Sequence, residues 1–110
     1  MSADQRLVVY GSLAPGKSNH HQLAGLSGEW RPGVVRGQLR NQGWGSGQGF
    51  PGLTPDLAGP EVQVQVFVSP DLPAHWDRLD AFEGADYRRV LIEVATPDGP
   101  LEAYIYAVEA

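Results

Sequence analysis

Within Pro70–Glu83, "PDLPAHWDRLDAFE", Leu72, Trp76 and Leu79 recur at intervals of four and three. That interval places side chains on one face of a helix. Four residues beyond Leu79 stands Glu83, within roughly 40° of the other three on a helical wheel. An apolar stripe therefore ends in an acid. Burial disfavours the ionised carboxylate, and the partial negative charge of a helix C-terminus pushes the same way. A carboxyl group tuned upward by both effects accepts and returns a proton near neutral pH. The residues alone leave a second reading open. The helix frays before Glu83, which then turns to water or pairs with Arg88 or Arg89. Charges at helix ends are usually solvated, which favours that plainer reading at this point.

The other suggestive stretch is "LVVYGSL" at 7–13, where an apolar run ends in Gly11 and Ser12 before the Ala14-Pro15-Gly16 break. Such a junction either turns the chain or presents backbone N–H groups to an anion. Nothing within the heptapeptide decides between the two.

The elements that must hold these residues are mostly strands. Arg6–Tyr10, Gly33–Leu39, Arg89–Thr96 and Leu101–Val108 are β-rich runs. In Val62–Val68, "VQVQVFV", the four valines face one way and Gln63, Gln65 and Phe67 the other, a strand with one apolar face. The "PDGP" segment, with Asp98-Gly99 at its centre, joins the last two strands as a hairpin. Ser69 stands as N-cap of the main helix, Pro70 and Pro73 fit its first turn, and Gly84 stops it. Ser18–Leu26 is a second, short helix candidate. Residues 40–61 read as one long Gly-rich loop, a length that usually signals function or mobility. The expectation is a single domain, 1–110, of the α+β class: a small, mixed, mostly antiparallel twisted sheet or barrel with one main helix.

Composition narrows the function. Hydrophobic residues make up 42% of the chain, the level of a globular domain, and the net charge is −5 with eight scattered Lys and Arg. Nucleic-acid binding needs a basic stripe, so that class is set aside. The chain lacks cysteine, which removes disulfides, thiolate nucleophiles and Cys-based zinc sites. No apolar run reaches the roughly 18 residues of a membrane span, and the polar start lacks a signal-peptide core. A cytoplasmic protein is the expectation.

Taken together, "YGSL" and the acid-tipped helix resemble the gamma-glutamyl cyclotransferase-like family almost end to end. The likeness runs through Val9-Tyr10-Gly11-Ser12-Leu13, then Gly16 and Asn19, and a "YPG"-like Phe50-Pro51-Gly52. It continues through "LDAFEG" at 79–84, Tyr87 and Arg89 in a Tyr-x-Arg spacing, and Tyr106 in the final strand. The resemblance implies attack by a gamma-glutamyl group's own α-amine on its γ-carbonyl, releasing an amine and 5-oxoproline. It turns the balance toward a catalytic Glu83. Substrate binding falls to Tyr10, Gly11, Ser12, Leu13, Tyr87, Arg89 and Tyr106. The short "YGSL" form, without a following Asn, is similar to members acting on gamma-glutamylamines. No cofactor or metal is implied, and the partner is a small molecule with a gamma-glutamyl or similar carboxylate group. A non-catalytic module binding a small anion or amino-acid-like ligand is the alternative, and a gamma-glutamyl acyltransferase or hydrolase a third reading.

Other signals carry less. Gly47-x-Gly49-x-x-Gly52 satisfies a dinucleotide-binding string but lacks the preceding strand, and Pro51 sits where its helix would open. Trp44 in the same loop is either a lid aromatic or a packing residue. His20 and His21 are adjacent and share no helix face, so with His75 they make a poor metal set. Ser12 lacks the nucleophile-elbow pattern. Tyr10 divides evenly between packing and contact with Glu83 or substrate. Arg89 can anchor a substrate carboxylate, but the more ordinary reading is an ion pair with a nearby acid such as Asp86 or Glu93.

Overall fold

The computed structural model describes residues 2–10, 23, 25–40, 52–84 and 87–108. A 3-10 turn at Ala3–Gln5 leads into β1 (Arg6–Val9), followed by β2 (Glu29–Arg40), β3 (Gly52–Pro55) and β4 (Glu61–Val68). A second 3-10 turn, Leu72–Ala74, precedes α1 (Trp76–Glu83), and β5 (Arg88–Thr96) and β6 (Gly99–Ala107) complete the fold. The strands run in the order β3-β2-β4-β1-β6-β5. One bridge, Val34 opposite Ala95, brings β5 back to β2 and closes five strands into a barrel. The expected α+β class with one main helix is what the chain adopts. The β1–β6 pair is parallel and the other pairs are antiparallel.

Alternation in the strands sorts the core into two layers. Val8, Val35, Val64, Val66, Val94, Ala103 and Ile105 fill the barrel, while Leu7, Val9 and Phe67 point outward. The outward set meets Leu72, Trp76 and Leu79 of the helical segment, with Tyr106 of β6. Because α1 covers β1, both faces of that strand are buried, which is why "LVV" is an unbroken apolar run. Leu7, Leu72 and Leu79 are fully buried, so the helix is anchored by apolar area. The Trp76 indole N–H adds a hydrogen bond to the carbonyl of Asp4, at 2.9 Å.

Several boundaries differ from expectation for local reasons. The helix does not run unbroken from Pro70. Ser69 accepts the Asp71 N–H on its hydroxyl, and the His75 N–H reaches Leu72 at 2.8 Å, so the proline-rich entry forms a 3-10 turn. The stop is as expected. Gly84 takes φ +79°, a conformation that favours glycine, and its N–H returns to the Asp80 carbonyl.

Residues 40–61 are not all loop. Gly52–Pro55 forms β3, paired with Gly37–Arg40 of β2. β2 is also longer than expected and passes through Pro32. The Gly37 N–H bonds Pro60, on the β4 flank, whereas the Arg36 carbonyl accepts from Asp56 on the opposite flank. Pro32 has the parity of Arg36, so its missing N–H costs the β2–β4 ladder nothing. The hairpin turn centres on Pro97-Asp98, one residue earlier than expected, because Thr96 pairs with Gly99. Of the Ser18–Leu26 helix candidate, only Leu23, Gly25 and Leu26 are described, and they form turns and bends; the rest lies outside the described residues.

Candidate active site

Glu83 occupies the last position of α1 and is 9% exposed, on the same buried side as Trp76 and Leu79. The solvated alternative at the frayed end of the helix is therefore not what the fold adopts. Its burial has one consistent cause. The stripe that packs α1 on β1 and β6 carries the acid inward with it, while Asp77 and Arg78 remain exposed. Burial raises the Glu83 pKa from 4.5 to about 7.

Tyr10 and Tyr106 lie close enough to this acid to feel its charge, and Tyr87 lies near Tyr10. Tyr10 follows the last residue of β1 and packs against the barrel interior. The Leu53 N–H donates to its hydroxyl at 2.9 Å, and that hydroxyl donates to the Tyr106 carbonyl at 2.7 Å. It ties β1, β3 and β6 together at one end of the barrel. Burial pushes its pKa well up against the Leu53 hydrogen bond, and the nearby Tyr87 and Glu83 charges add to the rise. Tyr106 of β6 is buried in the outer layer, and its pKa is raised by burial first, then by its hydrogen bond to Asp80; Glu83 also contributes. Tyr87, just before β5, is half-buried against the same layer.

Tyr10→Phe removes one acceptor and one donor while leaving the Leu53 N–H and Tyr106 carbonyl in place. The variant is expected to lose about 1–3 kcal/mol of stability in urea denaturation, the cost of stranding buried polar groups.

Arg89 forms the ordinary structural ion pair, with Asp80 as the acid that the described residues show; Asp86 lies outside them. The Arg89 Nε and Nη2 donate to Asp80 Oδ1 and Oδ2 at 2.8 and 3.3 Å. The guanidinium also lies 4.5 Å from the Trp76 ring centre and 4.7 Å from that of Tyr104. The Tyr106 hydroxyl donates to Asp80 Oδ1 at 2.6 Å. Burial tends to raise the Asp80 pKa, but the hydrogen bonds of Arg89 and Tyr106 and the Arg89 charge outweigh it and hold the pKa low. Asp80 was not singled out by sequence reasoning. The signal available was its place three residues before Glu83, one helical turn away.

Gly11, Ser12 and Leu13, together with Gly16, Asn19, Trp44, Phe50, Pro51 and His20-His21, lie outside the described residues. Among the described residues no group of three or more His, Cys, Asp or Glu is placed to hold a metal ion. No helix among them is long and apolar enough to cross a membrane. A groove of about 380 Å³ runs along the outer seam of β2 and β5 past Arg36, Leu57, Leu91 and Glu93. None of the candidate residues lines it.

A small closed barrel, roofed by one helix that carries a buried acid at its end, defines a class that known families can be set against. Residues 7–110 match the family described as gamma-glutamyl cyclotransferase, AIG2-like, and the chain belongs to that family. Membership supports a cyclotransferase-type enzyme in general terms. Among curated protein sequences none matches the chain.

Solved structures share the fold. YkqA from Bacillus subtilis superposes with a TM-score of 0.73 at 25% identity, over 96% of this chain and 36% of that one. The present chain thus spans about a third of that protein's length. An AIG2-like protein from Mus musculus gives a TM-score of 0.70 at 22% identity, covering 94% of this chain and 76% of its own. A uropathogenic E. coli-specific protein, c4763, gives 0.72 at 23% identity over 96% and 79%.

Proposed function

We infer that this protein is an enzyme releasing an amine and 5-oxoproline from a gamma-glutamyl amine or a related compound, acting in the cytoplasm. The observation that carries this reading is the buried carboxyl of Glu83, poised near pH 7 at the end of α1. In the reaction, the substrate's α-amine attacks its own γ-carbonyl and a new C–N bond closes a five-membered ring. Glu83 takes a proton from the attacking nitrogen and returns one to the departing amine as the original C–N bond breaks. The backbone N–H groups of Gly11, Ser12 and Leu13 hold the substrate carboxylate or the developing oxyanion, work that Gly11 suits because it has no side chain. Tyr87 and Tyr106 form part of the pocket wall. Folding the glutamyl arm into the attacking geometry supplies much of the acceleration. Tyr10 belongs to this site through its position before Gly11, and its hydroxyl is engaged by main-chain groups. The Arg89 guanidinium is held by Asp80 and by the Trp76 and Tyr104 rings.

The test is a panel of gamma-glutamyl amines and gamma-glutamyl amino acids, with 5-oxoproline followed by chromatography. Formation of 5-oxoproline from the amines is expected. Release of free glutamate would make the protein a hydrolase. Thermal stabilisation by these compounds without turnover would make it a binding module.

A further inference from the structure

We propose that the outer flank of β5 is a docking edge for an extended peptide that alternates lysine with apolar residues and adds to the barrel as a further strand. The claim is independent of the chemistry at Glu83.

The backbone supplies the edge. Thr96 pairs with Gly99 across the Pro97-Asp98 turn, so Val90, Ile92 and Val94 direct their N–H and C=O groups toward β6. Leu91, Glu93 and Ala95 direct theirs the other way, where Ala95 meets Val34 of β2. Arg36 is the next β2 residue to face that flank. Its carbonyl already accepts the Asp56 N–H at 3.2 Å, so the ladder between β2 and β5 goes no further. Among the described residues no strand pairs with the outward groups of Leu91 and Glu93. The groove of about 380 Å³ opens here, and both residues line it. An unpaired edge of this kind is a template for another strand.

The side chains select the occupant. Leu91 is 50% exposed, and Leu57, also lining the groove, is 90% exposed. Ile92, half-buried, turns toward the barrel interior. On the outer face Glu93 stands directly opposite Glu102 of β6, in the closely spaced kind of cross-strand pair. Like charges so placed repel. Cations on neighbouring strands are engaged: Arg36 is held by Glu61 and the Gly59 carbonyl, Arg89 by Asp80, and Arg6 donates to the Glu102 main-chain carbonyl. A lysine beside Glu93 supplies positive charge while its aliphatic stem lies along Leu91 and Leu57. Apolar residues at the alternate positions then meet Ile92. A second copy of this chain is a poorer occupant, because it brings the same acidic pair to the same edge.

The test uses a blocked hexapeptide of alternating lysine and valine, with the same peptide carrying glutamate for lysine as control. Binding is followed at low salt in nitrogen-15 labelled protein by amide shifts and hydrogen exchange. At saturation the lysine peptide is expected to shift resonances along β5 and around Leu57, and to slow exchange of the Leu91 and Glu93 amides by at least about tenfold. The Val90, Ile92 and Val94 amides, already bonded to β6, should change little. The glutamate peptide should do neither. Glu93→Lys is expected to weaken the lysine peptide by about 5–10-fold, and added salt to weaken the wild-type complex.

No shift at millimolar peptide, binding without protection at Leu91 and Glu93, equal binding of the two peptides, or unchanged affinity in Glu93→Lys would each overturn the proposal. So would slow exchange of these two amides in the protein alone. Protection that rises with protein concentration would make a second copy the occupant, and protection that does not would mean that the chain covers its own edge.

Discussion

Glu83→Gln is expected to lower 5-oxoproline release by roughly 10²–10⁴-fold, the usual contribution of a positioned acid–base group. Glutamine matches the carboxyl in shape and can hydrogen-bond, yet it cannot take a proton from the attacking amine. The loss should therefore fall on kcat, with KM changed much less, because an interaction made chiefly in the transition state has been removed. Stopped assays of 5-oxoproline in wild type and variant measure the split. The pH profile supplies an internal control. Attack requires the carboxylate, and burial holds the Glu83 pKa at about 7. Wild-type kcat/KM should thus climb as pH rises through 7, and the residual rate of the variant should lack that step. An equal rate in the two proteins, or a wild-type step near pH 4.5, would remove Glu83 from the chemistry.

How far the sequence revealed this arrangement depends on the range of the forces involved. The Val62–Val68 alternation and the β5–β6 hairpin were legible because each is written in neighbouring residues. The inward placement of Glu83 was legible as a periodicity, though spacing alone could not say whether the helix would persist to its last residue. Packing decided that. Leu79 and Trp76 are held so firmly against β1 and Tyr106 that the following turn stays helical, and the Gly84 N–H closes it.

β3 was not legible. Gly52–Pro55 offers a single large apolar residue, Leu53, between a glycine and a proline, and its strand character comes from partners at 37–40 and from the Val108 N–H, 2.9 Å from the Leu53 carbonyl. The same holds for Arg89. Spacing alone could not select its partner: β5 and α1 meet so that Asp80, nine residues away, receives its guanidinium. Gly33 gives a third case. A Cβ there would lie 2.6 Å from Val94, a close approach that only the closed barrel creates.

The titration that equips Glu83 for chemistry also has a thermodynamic consequence. Its pKa is about 7 in the folded protein, against 4.5 for the free side chain. Below pH 4.5 the group is protonated in both states and its contribution to stability is fully present. Between 4.5 and 7 the unfolded chain releases a proton that the folded chain keeps, so stability falls as pH rises. Above 7 both states are ionised and the loss is complete. At about 1.4 kcal/mol per pH unit, the difference between pH 4.5 and pH 8 is on the order of 3 kcal/mol. Asp80 opposes this trend, since its pKa is held low and its contribution is lost on acidification. The two are separated by comparing wild type with Glu83→Gln, because Asp80 is common to both. Urea denaturation at a series of pH values should find the variant more stable than wild type at pH 8, and the advantage should shrink or reverse toward pH 5. The gap should open around pH 5–7, in step with the activity profile, because one desolvated carboxyl governs both. Parallel stability curves for the two proteins would mean that Glu83 ionises at its ordinary pKa, and the acid–base role would lose its physical basis.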